Sequence, residues 1–212
     1  MSTQTTSADY RKARDILGDD FITPEEISAK YDMTYSHEQL KILRGSIPSE
    51  DILVWCRDNN YVLVAGPSRS IELLSLHRSL NRCFRDIPEV YYTEEHGWRI
   101  QNKDRFLKVQ APKPIWVTLR KEIVPNSIGK IFRDQVELLS DLEYVPNDSE
   151  VEWVVKIYNA IRNTKLFDGY CVMTSKRGTL SNRHMYFLGD RFTEIEDRFT
   201  HDNLGITFAR KL

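Results

Sequence analysis

Residues 149–167 read as a helix that is apolar over more than half of its circumference. Val151, Val154, Val155, Tyr158 and Ile161 share one side, and Trp153, Ile157 and Ala160 lie beside them. Such a helix cannot rest on a surface; it has to be enclosed, with sheet on one side. Each large side chain it buries contributes roughly 1.5–3 kcal/mol, so the fold is built round it. Ser149-Glu150-Val151-Glu152 reads as its capping box and Asp168-Gly169 as its end. Element order narrows the choice further. Residues 113–120 read as a strand, and residues 127–139 as a helix carrying Ile128, Ile131, Phe132, Val136 and Leu139. After the apolar helix, residues 169–174, 184–188 and 204–212 read as strands.

The first half opens with three helix starts. Thr23-Pro24-Glu25-Glu26 is a capping box with proline at the first helical position. Ser36-His37-Glu38-Gln39 repeats the device, and Ser49 precedes Glu50 and Asp51, whose charges suit a helix N-terminus. The third helix runs through Leu53 and Cys56 and stops near Asn59. Residues 61–65 form an apolar run that ends at Gly66-Pro67, as a buried strand does. A helix capped by Ser68 or Ser70 and small strands at 90–92, 98–100 and 106–109 follow. Pro112 and Pro114 mark a boundary, because each removes a backbone donor and extends the residue before it. The fold class is therefore α+β. A helical and small-sheet region over residues 1–111 precedes a second region over residues 112–212, and the two pack together because each is small for an independent core.

Charge and composition exclude several function classes. The chain has 212 residues, 30 basic and 31 acidic, for a net charge of −1. No global field draws in nucleic acid or an anionic membrane. The 3 cysteines, Cys56, Cys83 and Cys171, are far apart, which argues against a disulfide framework or a zinc site. Residues 2–9 are polar and unlike a signal peptide, and no apolar run is long enough to span a membrane. A cytoplasmic location follows as the expectation.

Motif spacing assigns no reaction. His184, His201, Asp190, Asp197 and Asp202 could supply a metal or acid–base site, and Asp190, Asp202 and Asn203 are calcium-type oxygens. No HxH or HExxH spacing joins them, so solvated loop groups account for them. Ser68 and Ser70 follow a strand in the manner of a phosphate loop but lack a Gly-Lys-Ser/Thr ending, which leaves a helix cap. The helices between residues 23 and 59 could mimic a DNA-reading pair through Lys30, Lys41, Arg44 and Arg57. Glu25, Glu26, Glu38, Glu50 and Asp51 dilute that charge, so a structural cluster is the better reading. Arg69, Arg78, Arg82 and Arg85 fit one solvated helix face. No catalytic residue, metal or cofactor is assigned, and enzymatic activity is not expected.

Charge and aromatics interleave from Arg191 to His201 through Phe192, Glu194, Glu196, Asp197, Arg198 and Phe199. Recognition surfaces mix aromatic anchors with adaptable polar groups in this way. A half-buried hairpin with Phe192, Ile195 and Phe199 inside explains the same pattern, and the two readings are compatible.

Several segments carry a family resemblance. Phe21-Ile22-Thr23-Pro24-Glu25-Glu26, Ile47-Pro48-Ser49-Glu50-Asp51-Ile52-Leu53-Val54-Trp55-Cys56-Arg57-Asp58-Asn59 and Val64-Ala65-Gly66-Pro67 are three of them. Leu119-Arg120-Lys121, Val124-Pro125-Asn126-Ser127, Asp148-Ser149-Glu150-Val151, Lys165-Leu166-Phe167, Leu204-Gly205-Ile206 and Ala209-Arg210-Lys211 continue it. Together they resemble a family of uncharacterised bacterial and phage-associated proteins. The order strand–helix–helix–strands also resembles the C-type lectin fold, with Leu204-Gly205-Ile206-Thr207-Phe208-Ala209-Arg210 similar to its last strand. It also resembles the variable proteins of diversity-generating retroelements, which display changeable side chains on such a scaffold. The resemblance implies a last strand that pairs back with the first, and a display surface over residues 191–203. Arg191, Thr193, Glu194, Glu196, Arg198, Thr200, His201 and Asp202 would contact a protein or other macromolecular ligand. Disulfide cysteines and a Glu-Pro-Asn calcium motif are missing, so the likeness does not extend to calcium-dependent sugar binding.

Overall fold

The computed structural model describes residues 8–31, 33–68, 115–177, 183–188, 191–196 and 198–212. The helix expected after Ser68, the small strands at 90–109, the proline boundary, Cys83, Asp190 and Asp197 lie outside the described residues, as does the basic group from Arg69 to Arg85.

Local chemistry sets the first helices. α1 (Ala8–Leu17) leads through a short 3-10 turn into β1 (Phe21–Ile22). Thr23 caps α2 (Pro24–Lys30): its hydroxyl accepts the Glu26 N–H, and the Glu26 carboxylate accepts the Thr23 N–H at 2.9 Å. Ser36 and Gln39 make the same reciprocal pair at the start of α3 (His37–Gly45). α4 (Glu50–Asp58) follows Ser49 as expected, but the Ser49 side chain makes no capping bond. β2 (Tyr61–Ala65) is buried throughout. It pairs in parallel with β1 and along its whole length, antiparallel, with β3 (Trp116–Arg120). Strands on either side of residue 111 thus share one sheet.

The second half departs from expectation in three places. The helix anticipated over 127–139 shrinks to α5 (Phe132–Val136). Asn126 (φ 63°) and Gly129 (φ 74°) hold the preceding residues in left-handed turns, so no helix can start at Asn126 or Ser127. The apolar helix is α6 (Asp148–Arg162), not 149–167, and its cap is Asn147 rather than Ser149. Asn147 and Glu150 form the capping box, two residues ahead of the expected one. The helix stops at Asn163 (φ 53°), before Asp168-Gly169, and Gly169 (φ 79°) serves the next turn instead.

β5 (Cys171–Arg177), β6 (Arg183–Leu188) and β7 (Arg191–Glu196) form an antiparallel meander. β8 (Leu204–Ile206) joins its other edge in parallel with β5, giving the order β7-β6-β5-β8. The third departure is here. The C-terminal strand expected to run over 204–212 is two strands, and neither is in the sheet of β3. β9 (Ala209–Arg210) pairs with β4 (Glu143–Tyr144). The terminal segment still runs alongside β3, yet the two meet through one backbone bond, Arg120 N–H to the Phe208 carbonyl at 2.9 Å. The Thr118 hydroxyl accepts the Arg210 N–H at 2.7 Å and donates to its carbonyl at 3.1 Å. A side chain thus occupies the place where a ladder would form.

α6 packs against β2 and β3 and also against β5 and β6, so sheet covers it on two sides rather than one. Val151, Trp153, Val154, Val155 and Ile157 are essentially inaccessible. The Trp153 indole donates to the Ala65 carbonyl at 2.9 Å. At its far end Arg162 reaches the carbonyls of Asp19 and Phe21 and the Glu26 carboxylate. Glu26 also pairs with Arg14. A smaller core on the outer side of the second sheet gathers Val124, Cys171, Met173, Leu204, Ile206 and Phe208. There Gly205 lets the 123–128 loop approach: a Cβ would lie 2.3 Å from Ile123 Cγ2 and 2.9 Å from Ser127 Oγ. The Ser127 hydroxyl accepts the Ile206 N–H at 3.2 Å.

Two outcomes follow. Gly205→Ala costs about 1–3 kcal/mol through overpacking, read as a lower urea midpoint. Adding Ile123→Ala recovers part of that loss in a double-mutant cycle; strict additivity would disprove the contact. Burial works to raise the Glu26 pKa, but the Thr23 N–H and the charges of Arg14 and Arg162 outweigh it and hold it below the ordinary glutamate value. A carboxylate of this kind contributes stability that is complete above its unfolded pKa and is lost as pH falls through its lowered folded value. Glu26→Gln therefore destabilises by about 1–3 kcal/mol at pH 7. The gap from the parent closes as pH falls below the ordinary glutamate range, and denaturation curves across pH 2–7 (about five units of acid titration) check it.

Candidate binding surface

The structure divides the expected display surface in two. Arg191, Thr193, Glu194 and Glu196 are ladder positions of β7, opposite Leu188, Tyr186, Met185 and Arg183 of β6. Arg198, Thr200, His201 and Asp202 lie beyond the strand and are exposed. They belong to the segment that carries the chain from β7, at one edge of the sheet, to β8 at the other.

Local bonds shape this segment. The Phe199 N–H donates to the Glu196 carbonyl at 2.9 Å, and the Leu204 N–H to the His201 carbonyl at 3.0 Å. Arg198 Nε lies 3.0 Å from Glu196 Oε2, and its guanidinium stands 5.3 Å from the centroid of the Phe199 ring. Phe199 is 52% exposed. The expectation that Phe199 faces inward is therefore corrected: the turn at 196–199 carries it out of the sheet's pleat, while Ile195 packs against the smaller core. Asn203 anchors the far end, its carbonyl accepting the Cys171 N–H at 2.8 Å. Tyr170, next to that anchor, is also exposed.

The other sequence candidates separate. His184 is buried and its ring stacks on Phe132 with centroids 3.7 Å apart, far from the solvated loop role expected for it. His201 and Asp202 are exposed in the loop. Among the described residues no cluster of three His, Cys, Asp or Glu could hold a metal ion. Cys56 and Cys171 are buried free thiols, and burial pushes Cys56 up to about 11 despite the charge of Arg210. Ser68 is buried, and its carbonyl accepts from the Gln39 amide. No described helix is long and apolar enough to cross a membrane.

One constellation escaped the motif search. Arg210 lies over the Trp55 ring at 4.3 Å, Trp55 packs on Tyr61 with centroids 5.1 Å apart, and Tyr61 sits opposite Arg120 in the β2–β3 ladder. The Tyr61 hydroxyl donates to Glu143, whose other oxygen accepts from the Ser140 N–H and hydroxyl. Burial, reinforced by Glu143, raises the Tyr61 pKa. These residues come from α4, β2, β3, β4 and β9, so no local spacing could announce them. No family model, curated protein or solved structure matches the chain.

Proposed function

We propose that this protein is a non-enzymatic binding module whose β7 edge and 198–203 segment meet a macromolecular partner. The observation that carries this reading is the exposed Arg198–Phe199 pair. An aromatic ring half open to solvent, with a guanidinium against it and an ion-paired carboxylate behind it, has the make-up of an interface anchor. Thr200, His201 and Asp202 supply polar contacts round it. The cytoplasm remains the proposed location.

The alternative is nucleic-acid binding through the helices between residues 23 and 59, where two of the four candidate cations, Arg44 and Arg57, are already ion-paired. Arg44 pairs with Glu25, Arg57 with Asp58, and Lys12 with Glu50.

The test is capture of partners from source lysate by the parent protein and by a variant carrying Arg198→Ala, Phe199→Ala and His201→Ala. The variant is expected to lose at least about tenfold of capture, the effect of one anchor residue. Its unfolding midpoint should stay close to that of the parent, because the three side chains are exposed. A partner retained equally by the folded variant rejects this surface.

A further inference from the structure

We draw no further inference here: the strongest candidate, the side-chain cluster of Asp148 and Glu152 on α6 with Thr174 on β5, is sealed from solvent, and its two carboxylates are already engaged by the Thr174 hydroxyl and the Lys156 ammonium.

Discussion

Enclosure of α6 is the constraint on which the rest of the structure depends. Its apolar residues leave it no solvent-facing side of any size, so both sheets exist partly to cover it. β2 and β3 cover one side, β5 and β6 another. Polar fastenings run along its length: the Asn147–Glu150 cap, the Trp153 bond to Ala65, the Lys156–Glu152 pair, and Arg162 to the turn before β1. Tyr31 of the first half reaches the Lys156 carbonyl at 3.5 Å. One buried cluster consequently holds residues from Tyr10 to Phe187.

A second layer of organisation comes from small groups that let backbones meet. Thr118 joins β3 to β9 with one hydroxyl. Gly205 admits the 123–128 loop, and Ser127 seals the approach. The buried Gln135 amide donates to the Ser127 carbonyl at 3.0 Å, tying α5 to the same seam. None of these groups contributes much apolar area. Their effect is to fix which edges touch, a matter of geometry more than of hydrophobic gain.

What could be read in the sequence was local. Thr23 and Ser36 were legible as caps because a capping box needs only four adjacent residues. The apolar helix was legible because its pattern is internal to it. The helix expected at 127–139 failed because Asn126 and Gly129 adopt positive φ, and their neighbours are held by contacts to β8 that no window of sequence contains. The terminal run reads as one strand because 204–210 is uniformly suited to extended structure, yet its partners change midway. Phe199 was misplaced for a related reason, since alternation was extended through a turn. Tyr61 and Glu143 lie 82 positions apart, so no window of sequence contains the hydrogen bond that joins them.

The position of β3 has a consequence for the order in which the molecule assembles. It stands between β2, which precedes it, and a terminal segment that follows it by some ninety residues. During synthesis from the N-terminus, its outer edge and the partnerless side of β5 both wait for residues 204–210 to arrive. A strand edge that waits can recruit a stranger. The last segment therefore acts as a shutter: until it closes, the growing polypeptide carries two open templates for aggregation, and afterwards it carries neither.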